Sequence, residues 1–434
     1  MALHRMIRQT LFLSGSHFAV RVAGFAMRIW LSRELGAQTM GLVELVQSAQ
    51  SLLITPVVSG LPAAVSRMCA RSDETARRRI LRAGIGLSLL ISIPLMLLGF
   101  LAGGRLANWL GSRQTLPALL VFLPCLPILG LSCALNGYCY GAGHPVPPAL
   151  SEMLEQAVRF LLCFRLVSLF RGAPASLRAA IPAAGMLAGE MAGLLLMLLL
   201  AAGIIFRRPP SGGGHRRAVM PELIALALPL TGMRIVASLT RTVNAALLPQ
   251  RLMLSGLSRS AAMSGLGMIN GMMMPILLAP SFITCSLSMI TAPELSRRQA
   301  QGRPLGRLIR RVLCAALGIA LAAMAAVFAA APLIARSLYR QPELQPLLRA
   351  CCPLVPVMAL CQVTGGMMNG LGLQACSLRI SLASGLVSLL VTYLLAAQPG
   401  MRLWGAAAGL AAGHLLTAAL NLRAIVAAVR VQAA

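Results

Sequence analysis

Apolar runs of about 20 residues alternate with short polar stretches along the whole chain. The runs are too long for strands and show no period-2 alternation, so each predicts an α-helix. Twelve such segments are expected, at roughly 9–32, 42–66, 83–103, 116–138, 149–170, 180–206, 219–241, 260–290, 312–335, 346–370, 377–397 and 404–428. A run of this length spans the ~30 Å hydrocarbon core of a bilayer. The pattern therefore predicts an all-α polytopic membrane protein of about twelve transmembrane helices. Pro56, Pro94, Pro124, Pro127, Pro275, Pro280, Pro353 and Pro356 fall inside these segments and predict kinks, which membrane helices tolerate when neighbours satisfy the freed backbone groups. The first segment follows Arg5 and Arg8 but contains His17, Arg21 and Arg28 and has no small-residue cleavage site, so it reads as a retained helix.

Composition supports this pattern. Of 434 residues, 58% are hydrophobic and 11% charged, against about 25% charged in ordinary soluble domains. A cytosolic enzyme, a disordered chain and a secreted disulfide scaffold are excluded. The 11 cysteines lie mostly inside apolar runs, with no CxxC or Cys/His spacing. They read as small buried hydrophobes, and no metal or cofactor is expected. All 38 basic residues are arginine, against 10 acids, for a net charge of +28. Most sit between apolar runs, where anionic lipids rather than nucleic acid are the natural partners. Alternate loops hold 21 and 11 of them, and the richer set includes both ends, which predicts cytoplasmic termini.

The stretch Arg207 to Arg217 reads RRPPSGGGHRR and predicts a cytoplasmic linker over 207–217, between lobes 1–206 and 218–434 of six helices each. Internal repeats agree with that division. Pro124-x-x-Pro127 recurs as Pro353-x-x-Pro356, Asn136-Gly137 as Asn369-Gly370, and Arg21-x6-Arg28 as Arg234-x6-Arg241. Six helices per half give both halves one orientation. The expected pseudo-two-fold runs along the membrane normal, with the lobes around a central cavity.

Charges inside the helices are the candidate site. Arg21 and Arg28 share one helical face, as do Arg234 and Arg241. They either line a cavity, where they would bind an anionic substrate, or snorkel to an interface. Glu152, Glu155 and Arg159 also share a face, and Glu155 can pair with Arg159 at i, i+4. They form either a structural ion pair or a gate or coupling group. Glu190 sits within Gly185-x3-Gly189-x3-Gly193, a close-packing pattern, and either bonds a neighbour or takes a proton or cation. Glu44 and Glu222 lie near expected helix starts and read as structural. Met272, Met273 and Met274 read as packing. No HExxH, GxxxxGK[ST] or Ser/His/Asp framework occurs, so no enzyme is expected.

Several of these stretches resemble a known family. They include Arg21-Val-Ala-Gly24-Phe25-Ala-Met-Arg28, Arg33-Glu-Leu35-Gly36-Ala37 and Gly60-Leu61-Pro62-Ala63. Tyr140-Gly141, Pro148-Ala149-Leu150-Ser151 and Glu155-Gln156-Ala-Val-Arg159 carry the resemblance furthest. Leu228-Pro229-Leu230, Leu248-Pro249-Gln250-Arg251-Leu252, Pro275 with Pro280, and Asn369-Gly370-Leu371-Gly372 continue it. In that order they resemble the stage V sporulation protein B group of polysaccharide exporters, within the superfamily that also holds multidrug exporters and lipid II flippases. Members often have fourteen helices where twelve are expected here. Lipid II flippases place an acid just after their helix-one arginines, near the position of Arg28.

The resemblance implies two lobes around a central cavity and a flippase for a polyprenyl-pyrophosphate-linked oligosaccharide or peptidoglycan precursor in the cytoplasmic membrane. It also implies a role in spore cortex synthesis for close relatives. An arginine-lined cleft suits the pyrophosphate, because guanidinium binds phosphate oxygens in a fork. An ion gradient or the membrane potential would drive the step, and cell-wall synthesis enzymes are candidate partners. The alternatives are a cation-coupled multidrug exporter of the same fold, which would want an acidic cavity, and a non-transporting scaffold for wall synthesis.

Overall fold

The computed structural model describes residues 2–205 and 219–433; the expected linker at 207–217 lies outside the described residues. The described chain is helical, without strands. α1 (Ala2–Val58) is broken at Gly36, whose φ of 77° and ψ of 166° leave the helical region. α2 (Leu61–Ala70) and α3 (Glu74–Trp109) follow; Asp73 starts α3 by accepting from the Ala76 N–H at 3.1 Å. α4 (Leu116–Phe122) and α5 (Cys125–Gly141) form one bent pair, and α6 (Val146–Leu169), the short α7 (Ala175–Arg178) and α8 (Ile181–Ile205) complete the first half. The second half has α9 (Val219–Leu254), α10 (Arg259–Leu266), a π-helical stretch (Gly267–Met273), α11 (Met274–Leu278) and α12 (Ser281–Ala300). It ends with α13 (Gly306–Leu333), the bent pair α14 (Leu344–Cys351) and α15 (Leu354–Gly370), α16 (Gln374–Leu395) and α17 (Arg402–Ala433).

Over their described residues the twelve expected segments are mainly helical, some of them broken by turns. Among the described residues, seven helices are long and apolar enough to cross a membrane, or nine if each bent pair is one span. The first long element, Gly15–Ala70, holds two expected segments. α6 is set apart by Glu152, Glu155, Arg159 and Arg165, and the apolar start of α9, Val219–Leu228, is followed by Arg234 and Arg241. The surface carries leucines that water would not favour: Leu101 is 85% exposed and Leu199 75%. Exposed apolar side chains on long helices are the mark of a lipid-facing surface, so the chain is an all-α multi-pass membrane protein.

The kinks fall where missing N–H groups put them. Pro124 and Pro353 each precede a helix, and the axes bend there by 42° and 52°. The two halves correspond closely here at an offset of 229 residues. Gly137 and Gly141 press α5 on α2, where added Cβ atoms would lie 2.7 Å from the Pro62 carbonyl oxygen and 2.5 Å from that of Ser66. Gly366 and Gly370 press α15 on α12 in the same way, against Ser288 and Ala292. This register corrects the match read in sequence: Asn136-Gly137 and Asn369-Gly370 are one helical turn out of step, because close packing, not the Asn-Gly pair, is what recurs.

The chain forms two compact units, Met1–Leu35 with Leu42–Thr242, and Gly36–Gly41 with Val243–Ala434. They differ from the sequence halves for a packing reason. The start of α9 belongs to the core around α2, α3 and α5: Leu223 and Ala227 are buried with Leu61, Val65, Ile80 and Tyr138. In the second unit, the Gly36–Gly41 segment lies so close to its neighbours that a Cβ on Gly41 would lie 2.0 Å from the Met263 carbonyl oxygen. Its core includes Leu295, Ile309, Val363 and Met367. Cys125, Cys133 and Cys163 are buried as small hydrophobes, and so are Met272 and Met273.

Candidate functional site

α6 and α8 run antiparallel in direct backbone contact. The glycines of α8 make this approach possible, as their spacing predicts. A Cβ on Gly189 would lie 2.7 Å from the Glu155 carbonyl oxygen, and one on Gly185 would meet Cys163 Sγ at 2.4 Å. The Ser151 hydroxyl closes the interface by donating to the Gly193 carbonyl at 2.6 Å.

That contact gathers three ionisable side chains. Arg159 pairs with Glu155 one turn earlier on α6, as expected, through a short charge-assisted hydrogen bond. α8 then brings Glu190 to 3.6 Å from the same guanidinium. The side chains of Arg159, Glu155 and Glu190 are only 17%, 17% and 9% exposed. One cation thus faces two carboxylates, and Arg159 Nε is buried without a hydrogen bond. Beside them lies a cavity of about 230 Å³ bounded by α5, α6 and α8, into which Ser132, Asn136, Tyr140 and Glu152 also project. The Ser132 hydroxyl is buried there without a partner. Such a site can hold one extra positive charge, a proton or a small cation.

The other expected residues find partners or surfaces outside this cluster. Glu152, on the same face of α6, meets His17 Nδ1 at 3.0 Å, a partner from α1 that spacing alone did not reveal. Arg28 is engaged by Glu44 at 2.5 Å. Glu44 was read as sitting near a helix start; the structure puts it inside α1, beyond the Gly36 break, with its role set by Arg28. Arg21 on α1 and Arg234 and Arg241 on α9 are exposed.

Sequence reasoning missed an apolar groove of about 530 Å³ between α1 and α6, lined by Ala19, Ala23, Met27, Met153 and Phe160 among others. Trp30 packs in tilted contact against Phe160 and Phe164, at 5.9 and 5.6 Å between ring centres. The alanines at 19, 23 and 26 were the available signal: small residues at helical spacing leave room beside a neighbouring helix. The groove lies on the face of α1 away from that shared by Arg21 and Arg28.

Residues 6–299 match the family model described as polysaccharide biosynthesis protein, and residues 242–394 match that described as MatE. The chain is 26% identical to stage V sporulation protein B of Bacillus subtilis (strain 168), over 97% of this chain and 83% of that one. Among solved structures it is similar to the lipid II flippase MurJ in an inward closed conformation, with a TM-score of 0.74 at 13% identity over 96% of this chain and 87% of that one. It is equally similar to a multidrug resistance MATE family transporter of the MOP superfamily in an inward-facing conformation, with a TM-score of 0.74 at 16% identity over 96% of each chain. These structural likenesses establish the fold.

Proposed function

The chain belongs to the polysaccharide biosynthesis protein family, and on that premise we propose that it flips a polyprenyl-pyrophosphate-linked oligosaccharide or peptidoglycan precursor across the cytoplasmic membrane by alternating access. Both termini then lie in the cytoplasm, and the similarity to stage V sporulation protein B supports a place in spore cortex synthesis beside cell-wall synthesis enzymes. The observation that carries the reading is the two-faced first helix. One face presents the exposed Arg21, and another borders an apolar groove of about 530 Å³. An amphiphile with an anionic head and a hydrocarbon chain matches that pair of surfaces. Arg21, Arg234 and Arg241 would take the pyrophosphate in bidentate contacts. Arg28 would act as a relay when Glu44 releases it.

Two energy sources fit. Outward movement of an anionic headgroup is favoured by an inside-negative potential, by about 2.3 kcal/mol per charge per 100 mV. The Glu155–Arg159–Glu190 cluster would couple the same step to a proton or cation gradient. That acidic cluster also favours a second reading, a cation-coupled multidrug exporter, since its cavity is lined by Glu152, Glu155 and Glu190.

The test is headgroup translocation of a defined lipid-linked sugar in proteoliposomes with imposed potentials. Arg21→Ala and Arg234→Ala, inserted at normal levels, should each slow flipping at least about tenfold, the size of one lost charged contact. Wild-type rates in both would overturn the reading. Export of organic cations without headgroup movement would establish the second.

A further inference from the structure

The end of α2, the turn after it and the start of α3 carry Arg67, Arg71, Arg77, Arg78, Arg79 and Arg82, and five of them fall into two groups. Arg77 Nε donates to the Cys69 carbonyl at 2.9 Å and so ties off the end of α2. Arg78 lies 3.7 Å from Glu74. Asp73, the remaining acid of the loop, caps α3 through the Ala76 N–H. Arg67, Arg71 and Arg79 line a cavity of about 230 Å³. Its far wall is the start of α9, through Val219, Glu222 and Leu226.

The cavity is amphipathic. Met68 and Ile80 line it and are buried in the core shared by α2, α3, α5 and α9. Arg67 and Arg71, one turn apart at the end of α2, and Arg79, early in α3, bring three guanidinium groups to its rim. Glu222 is the one carboxylate among the described lining residues, which leaves a net charge of two positive. Three cations held at one rim repel each other, and an anion among them relieves that repulsion. Basic pockets between membrane helices are suited to phosphate headgroups, and guanidinium offers paired N–H donors to phosphate oxygens. The apolar floor favours an anion that carries hydrocarbon over a free one.

We infer that Arg67, Arg71 and Arg79 form a binding site for a phosphate-bearing lipid headgroup, separate from the transport site and seated where α9 begins. A lipid there joins the start of α9 to α2 and α3. The assignment is independent of which substrate the protein moves.

Native mass spectrometry of the full chain in detergent, titrated with phosphatidylglycerol, tests it. Wild-type protein should retain at least one phosphatidylglycerol in preference to phosphatidylcholine. The triple variant Arg67→Ala/Arg71→Ala/Arg79→Ala should bind it about a hundredfold more weakly, the effect of three arginines near a headgroup. Glu222→Gln should bind severalfold more tightly, a gain that damage to the fold does not mimic. Arg307→Ala/Arg310→Ala/Arg311→Ala removes the same charge from the start of α13 and should leave binding unchanged. Equal losses in the two triple variants would reduce the site to general surface attraction and overturn it. So would unchanged binding in the first triple variant. Full displacement of the lipid by equimolar inorganic pyrophosphate would overturn the lipid assignment in favour of a free anion.

Discussion

The α6–α8 contact in the first unit and the α16–α17 contact in the second share a backbone plan and differ in chemistry. Both are antiparallel pairs in which the final helix brings three glycines, four residues apart, against its partner. In the first unit Gly185, Gly189 and Gly193 face a row that contains Ser151, Glu155 and Arg159. In the second, Gly405 meets the end of α16 at Leu395, and Gly409 and Gly413 face Ser384, Ser388 and Thr392. The two rows have the same i, i+4, i+8 spacing. One carries an ion pair that Glu190 extends; the other carries three hydroxyls, all at most 9% exposed. A hydroxyl is neutral and can turn to the carbonyl of the preceding turn, and one left without a partner, as Ser384 Oγ is here, costs far less than a buried charge, which needs a partner from outside. The glycine ladder therefore explains how each pair packs, and the charges on one ladder alone require a functional account.

The largest break in this comparison is Arg159→Ala. It strands two carboxylates, and losing one partner of a buried ion pair costs on the order of 3–5 kcal/mol. Thermal unfolding in detergent should show a strong loss, while Thr392→Ala at the matching end of the other row should shift little. Exchange of Glu155 and Arg159 sharpens the point. The simple swap Glu155→Arg/Arg159→Glu would set the new carboxylate beside Glu190, so it should recover little. Adding Glu190→Gln should recover folding and flipping while weakening dependence on a cation gradient. Equal behaviour of the swap with and without Glu190→Gln would refute the three-member cluster.

The glycines should behave alike in both units. A Cβ at Gly189 would meet the Glu155 carbonyl oxygen at 2.7 Å, and one at Gly409 would meet Thr392 Oγ1 at 2.0 Å. Alanine at either position should destabilise by about 1–3 kcal/mol, as overpacking does. A large effect at one and none at the other would break the structural equivalence. The smallest effect belongs to the hydroxyls. Ser384→Ala and Ser388→Ala should each change stability by at most about 0.6 kcal/mol, the average for interhelical polar contacts in a membrane. An effect as large as that of Arg159→Ala would mean that the second row also holds a ligand.

Much of the backbone was legible in the chain itself. Apolar runs require helices in a bilayer because no other single segment satisfies its own hydrogen bonds there. Pro124 and Pro353 mark the bends because proline lacks the N–H that a continuous helix uses. Glu155 and Arg159 could be paired from spacing because one turn of helix fixes their separation. The Gly405, Gly409 and Gly413 ladder was equally present in the spacing, but without a charge beside it nothing drew attention to it.

What the tertiary structure decided is which charge meets which across helices. Arg28 and Glu44 are 16 residues apart across a broken helix, and Glu190 reaches Arg159 only because glycines let α8 touch α6. Arg67, Arg71, Arg77, Arg78 and Arg79 look alike in sequence, yet two of them bond the chain around them and three line a cavity. Local spacing is set by the geometry of one helix, which sequence carries completely. Contacts between helices depend on register and closeness of approach, and those emerge only when the whole set of side chains packs at once.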